Sequence, residues 1–322
     1  MPPDHRHTSS RRNARSPAVL SRRAVLGAAL AGAATIALPS ALHAANDGEA
    51  TPALAFDRDA LIIARGGLRR SQDGGRTWMP LAAPDAGPVC ALATHPARPG
   101  RIVAGLQSGG IALSDDGGQS WLPRGNGLPP APVTALTVAA SQPDTLYAAL
   151  AGDGLWRSAD AGESWQFVMD RPWLRDAESE VRALASVNLA SGMGGIWIYA
   201  GTDAGLSRVP DCFCRWQGVV AGDAMDALAS GAAPAPEAPL PEGQAVQALV
   251  SAPAAPERLY AALGSGIWAS SDAGVVWRRL APAQATALAA HPVDPDHIVA
   301  ATPRGLIETR DGGASWSTPK PL

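Results

Sequence analysis

The sequence predicts an all-β chain: a single β-propeller of about six four-stranded blades. Three observations predict it. An eight-residue turn pattern recurs along the chain, short apolar runs stand at matching offsets before each copy, and the copies are spaced by roughly 40 residues.

The turn pattern is Ser/Thr-x-Asp-x-Gly-x-x-Trp. Five segments fit it: Ser71 to Trp78, Ser114 to Trp121, Ser158 to Trp165, Ser270 to Trp277 and Thr309 to Trp316. A sixth, Val209 to Trp216, keeps only the Asp and the Trp. The spacing reads as a turn between two antiparallel strands. The carboxylates of Asp73, Asp116, Asp160, Asp272 and Asp311 can accept backbone N–H groups across the turn. Glycine supplies the positive φ, and Trp78, Trp121, Trp165, Trp277 and Trp316 each offer a large ring to bury against the neighbouring sheet. These residues are therefore read as structural.

The remaining strands of a blade lie upstream of each turn. Ala91 to Pro96 aligns with Ala287 to Pro292 as an inner strand ending in a His-Pro turn, and each is followed by a second strand, Ile102 to Ala104 or Ile298 to Ala300. The three tyrosines, Tyr147, Tyr199 and Tyr260, share one second-strand position, which is a packing position. A glycine turn then leads to a third strand such as Leu155 to Arg157. The first blade has only Pro52 to Phe56 for its inner strand, so ring closure stays open.

The pattern tryptophans at 78, 121, 165, 216, 277 and 316 are separated by 43, 44, 51, 61 and 39 residues. The two long steps need insertions, placed at 169–181 and 219–244. Neither holds enough alternating sequence for four strands, which favours six blades over seven.

Before the repeats stand six arginines, an apolar run from Ala24 to about Leu38 and a small-residue stretch ending near Ala45. This is the form of a signal peptide, and Ser21-Arg22-Arg23-Ala24-Val25-Leu26 resembles the twin-arginine consensus. Residues 1–45 are thus expected to be a cleaved export signal and 46–322 the propeller, in the periplasm or secreted. About 15 apolar residues are too few for a stable span. Six of the 26 basic residues and one of the 29 acidic ones precede residue 46, so the mature chain carries a net charge of −8. Nucleic acid and anionic membrane surfaces are poor partners for it.

The repeats resemble the BNR or Asp-box propeller superfamily, which includes sialidases, other glycoside hydrolases, sortilin-type receptors and photosystem II assembly factors. The resemblance implies a fold rather than an activity. Sialidase chemistry would use an Arg-Ile-Pro signature and a Tyr nucleophile; Phe56-Asp57-Arg58-Asp59 stands in place of the first, and all three tyrosines have a packing role. Another glycosidase would need two carboxylates about 5 to 10 Å apart, with Asp57, Asp59, Asp153, Asp203 and the run Asp176 to Glu180 as candidates.

Three cysteines occur. Cys90 lies in an inner-strand run, whereas the Cys212-Phe213-Cys214 segment replaces the glycine of the degenerate fourth turn, its two cysteines expected either as a small disulfide bracing that turn or as free thiols. Metal ligation by His95, His291 and His297 would need residues of different blades to converge, so no metal or cofactor is expected. Function is expected at the face opposite the box turns, around the channel mouth. There the candidate partner-binding residues are Arg65, Asp153, Asp203 and Arg304, with Trp173 on an insertion. The expectation is a non-catalytic scaffold with a periplasmic protein partner. The alternative is a carbohydrate-active hydrolase using carboxylates at that mouth.

Overall fold

The computed structural model describes residues 52–189, 195–219, 238–318 and 320–322. The chain divides into two units, Met1–Asn46 and Asp47–Leu322, and the described residues all belong to the second. The expected export signal and most of the 219–244 insertion lie outside them. No helix occurs among the described residues, and none is long and apolar enough to cross a membrane.

Six sheets stand around a common axis, each made from consecutive chain. Blade one contains β1 (Ala53–Asp57), β2 (Ala60–Ala64), β3 (Leu68–Ser71) and β4 (Met79–Pro80). Blade two contains β5 (Val89–Thr94), β6 (Ile102–Leu106), β7 (Ile111–Ser114) and β8 (Leu122–Pro123). Blade three contains β9 (Val133–Ala139), β10 (Gln142–Leu150), β11 (Leu155–Ser158) and β12 (Gln166–Met169). A two-stranded hairpin follows, β13 (Trp173–Leu174) and β14 (Ala177–Glu178).

Blade four contains β15 (Val181–Asn188), β16 (Ile196–Thr202) and β17 (Leu206–Pro210). Blade five contains β18 (Val246–Ala252), β19 (Ala255–Leu263), β20 (Gly266–Ser270) and β21 (Arg278–Ala281), and blade six contains β22 (Ala287–Ala290), β23 (Ile298–Thr302) and β24 (Gly305–Thr309). The inner strands β1, β5, β9, β15, β18 and β22 each contact the next, and β22 contacts β1, so the ring closes.

Two blades depart from the expected four strands. In blade four the fourth strand shrinks to one bridge, Arg208 to Gln217, after the turn that has lost its glycine. In blade six it shrinks to the bridge between Leu306 and Lys320. Pro52 to Phe56 does become the inner strand of blade one, so no strand is exchanged across the closing seam. That seam is held by side chains instead: Leu54, Phe56, Leu61 and Ile63 pack against Ala287, Val299, Ala301 and Leu306.

The repeated turns explain how the blades hold together. In the first, Ser71 Oγ donates to Asp73 Oδ1 and accepts from Gly75 N, while Asp73 accepts the Arg76 and Thr77 N–H groups and the Thr77 hydroxyl. At Ser114 and Asp116 and at Ser158 and Asp160 the Ser Oγ again donates to the Asp and accepts from the Gly N–H, and the Asp accepts the N–H and hydroxyl of Ser120 or Ser164. These bonds recur at Thr309 and Asp311. In blade five Val276 supplies only its N–H, at 2.9 Å from Asp272, because it has no hydroxyl. Hydrogen bonds from the following hydroxyl, then from its N–H, hold Asp160 and Asp311 down at about 2, and hold Asp73 and Asp116 lower still. The residue after the Asp also needs a positive φ. Glycine supplies it in three turns, but Ala161 and Ala273 adopt φ 56 and 58 there.

Each interblade core receives one of these tryptophans. Trp121 joins the cluster between blades one and two, Trp165 that between two and three, Trp216 between three and four, and Trp277 between four and five. Trp316 and Trp78 complete the last two. Three of the indoles also donate to the loop leaving the preceding blade: Trp121 to Ala82 O, Trp165 to Arg124 O and Trp216 to Asp170 O. Trp165 and Trp277 are nearly inaccessible, and truncating either to Ala would cost on the order of 3–5 kcal/mol. The buried tyrosines point the other way round the ring. Tyr147 donates to Asp211 in the fourth turn, Tyr199 to Ala273 O in the fifth and Tyr260 to Pro295 O in blade six.

Candidate functional site

The inner strands surround an axial cavity of about 820 Å³. Its wall mixes alanines such as Ala91, Ala135 and Ala183 with larger residues such as Leu136, Leu184 and Leu249.

The two ends of the cavity differ. At the end facing the box turns, neighbouring blades are tied directly. Thr94 Oγ1 donates to Phe56 O, His95 Nε2 lies 3.1 Å from Ala140 O, Ala140 N donates to Ser186 Oγ, and Ser251 Oγ donates to Ser186 O. His95 Nδ1 accepts from Ala97 N, and His291 repeats the arrangement with Asp294 N and Asp59. Both histidines are thereby committed to their own turn and to the adjacent blade. No group of three His, Cys, Asp or Glu residues suited to a metal occurs among the described residues.

The opposite end, the mouth, is built by a local backbone irregularity. Blades two to five each carry a β-bulge at the start of the inner strand, between Val89 and Ala91, Val133 and Ala135, Val181 and Ala183, and Val246 and Ala248. The extra residue is polar in every case: Cys90, Thr134, Arg182 and Gln247. Thr286 stands at the matching place in blade six, and all five line the cavity. A bulge re-aims a side chain that a regular strand would turn into the blade. Cys90 Sγ lies 3.0 Å from Val133 O, and burial pushes its thiol up to about 11.

The wall between blades three and four is the charged sector. Glu180 is the one carboxylate among the cavity-lining residues. It is ion-paired to Arg171, which also holds Glu178, and it accepts a hydrogen bond from Gly152 N at 3.3 Å. The hairpin β13–β14 projects from this sector, with Trp173 opposite Glu178. Trp173 is 65% exposed, more than any other described aromatic residue.

The residues singled out from the sequence lie on the mouth side but spread around the ring. Arg65, Asp153, Asp203 and Arg304 occupy the second-to-third-strand turns of blades one, three, four and six, and none of them lines the cavity. Asp153 caps its own turn, accepting from Gly154 N and Trp156 Nε1. Asp203 N donates to Glu180 O, which places that turn beside the charged sector. Asp57 and Asp59 lie at the box-turn end instead, Asp57 bound by Arg70 and Gly100 N and Asp59 by His291. Asp57 and Asp59 are thus set apart, whereas Asp153, Asp203, Glu178 and Glu180 gather on the mouth side where blades three and four meet, and of these only Glu180 lines the cavity. The bulge residues were missed from sequence, and the signal that would have found them is the single polar residue that follows a valine at the start of the inner strand in blades two to five.

No protein-family model matches the chain, and no curated protein is significantly similar to it in sequence. Solved structures do resemble it. A GH74 xyloglucanase from Xanthomonas campestris is 19% identical with a TM-score of 0.52, over 85% of this chain and 54% of the enzyme. A GH74 enzyme from Niastella koreensis is 14% identical with a TM-score of 0.51, over 82% of this chain and 46% of that one. The chain thus spans about half the length of these enzymes. YCF48 bound to D1 peptide is 19% identical over 84% of this chain and 82% of its own, with a TM-score of 0.49. At such identities the likeness establishes the β-propeller fold and nothing about the site.

Proposed function

We propose that the protein is an exported, non-catalytic binding scaffold whose channel mouth engages a protein partner in the periplasm, residues 1–45 serving as the twin-arginine signal. The observation that carries this reading is the chemistry of the mouth. Its bulge residues are mostly neutral hydrogen-bonding groups, and its one carboxylate is occupied by Arg171. Such a rim can bind exposed backbone and polar side chains, and Trp173 adds a large apolar contact beside it. Acid/base hydrolysis of a glycoside needs a second carboxylate across the same groove, and Glu180 is the single acid among the cavity-lining residues, Asp153 and Asp203 standing in turns outside that lining.

The test is quantitative capture from periplasmic extract on the immobilised protein, with Trp173→Ala and a box-face variant, Val293→Asp, run in parallel. The expected result is a specific protein depleted by Trp173→Ala and retained by Val293→Asp, which is 71% exposed at the other end. A partner indifferent to Trp173→Ala contradicts the reading. So does turnover of any member of a glycan panel that is abolished by Glu180→Gln.

A further inference from the structure

Every intact box turn is held by hydrogen bonds without a cysteine, so the Cys212–Cys214 disulfide of the fourth turn calls for another reason. We propose that this bridge is an exchange site: it accepts electrons from protein or peptide dithiols, independently of whatever binds at the channel mouth.

Four observations carry the proposal. Both cysteines are exposed, so an attacking thiolate can reach either sulfur. The bridge spans a sequence separation of only 2, and a closed loop that short removes the least chain entropy on cross-linking, so the bond does little to stabilise the fold. The residue between the cysteines, Phe213, is held at φ 51, a left-handed conformation that a bulky side chain adopts at a cost. The turn also has its own anchors. Asp211 N donates to Ile196 O, Phe213 N donates to Pro210 O, Tyr147 donates to Asp211, and the Phe213 ring sits 6.1 Å from that of Tyr147 within the core between blades three and four. Reduction therefore relieves Phe213 while the blade stays in place. Arg215, exposed and next to Cys214, favours the thiolate that must leave.

The exchange balances without a further reactant. A substrate thiolate attacks one sulfur of the bridge, the S–S bond breaks, and its electron pair leaves on the other cysteine, which takes up a proton. The second substrate thiol then attacks the mixed disulfide and releases the remaining cysteine. Two electrons and two protons have passed from the dithiol to Cys212 and Cys214, and the substrate emerges as a disulfide.

The test uses the oxidised, folded protein and a reduced peptide containing two cysteines. Peptide oxidation is followed by mass spectrometry beside an equal concentration of oxidised glutathione. The expected result is oxidation of one peptide per protein, faster than by oxidised glutathione by about tenfold or more, and abolished in the double variant Cys212→Ser/Cys214→Ser. Cys214→Ser or Cys212→Ser alone leaves no bridge to accept electrons and should leave the peptide reduced. The inference is overturned if the peptide is oxidised no faster than by glutathione, or if the bridge resists millimolar dithiothreitol until the protein is unfolded. This second measurement is made on the unmutated chain, so it decides the matter even where a variant fails to fold.

Discussion

Lys320, the only lysine of the chain, locks the seam where the last blade meets the first. Its ammonium donates to Glu308 Oε2 at 2.7 Å and to Gly74 O at 2.8 Å. The lysine side chain is 19% exposed and the glutamate 10%, so neither contact is well screened. Lys320→Met keeps most of the stem and removes both bonds. Hydrogen bonds to a charged group contribute about 1.5–3 kcal/mol each, but Arg310 remains 2.7 Å from Glu308 and limits the loss. The expected destabilisation is therefore about 2 kcal/mol, most of it from leaving Glu308 short of a cation in a half-dry site. A second variant checks that attribution. Lys320→Met combined with Glu308→Gln strands no charge and should lose only about 1 kcal/mol. Urea unfolding followed by tryptophan fluorescence measures both. A single variant that loses less than about 0.5 kcal/mol, or a double variant at least as costly as the single one, refutes the reasoning.

Three further outcomes are expected. Ala161→Gly should stabilise the protein by about 0.5–1 kcal/mol, because alanine at φ 56 is strained where glycine is not; an unchanged or lower urea midpoint would contradict this. Stability should fall as the pH drops from 7 to 5. Burial pulls His297 below its usual 6.5, helped by the charge of Arg310, so the unfolded chain takes up a proton before the folded one and folding is favoured above that range. Burial pushes Glu308 upward, but the hydrogen bond and charge of Lys320 outweigh it and leave the carboxyl below normal, which extends the loss to more acidic pH. His297→Gln should flatten the slope between pH 7 and 5, and an equal slope in both proteins would count against the assignment. Finally, with its thiol near 11 rather than 9.0, Cys90 in the native protein at pH 8 should be alkylated by iodoacetamide roughly a hundredfold more slowly than a free cysteine; comparable rates would show that the thiol is not desolvated.

What was legible in the sequence is what depends on residues close together in the chain. The Ser, Asp and Gly of each turn bond within five residues of one another, so five copies reveal both the turn and the blade that it closes. The His-Pro turns were legible for the same reason, since His95 and His291 each accept an N–H from a residue two or three places on. Contacts between blades left no such mark. The indole bond from Trp165 to Arg124, the phenol bond from Tyr147 to Asp211 and the clasp from Lys320 to Gly74 join residues 41, 64 and 246 places apart. The candidate site suffered most from this. The turns named in advance do face the mouth side, but a bulge is a relation between two strands, and alternation along one strand does not show it. Cys90, Thr134, Arg182 and Gln247 therefore looked like ordinary strand residues. The shortened fourth blade was half legible, because Val209 to Trp216 lacks the glycine that the turn requires.

The central claim is that the mouth, and not the box-turn end, is the binding face. Photo-crosslinking in cells that produce the protein tests it most directly, with a photoreactive residue at Trp173 on the mouth side or at Val293 on the other. The account predicts a discrete crosslinked protein from position 173 and none from position 293. Crosslinks from position 293 alone, or from neither position, would contradict it.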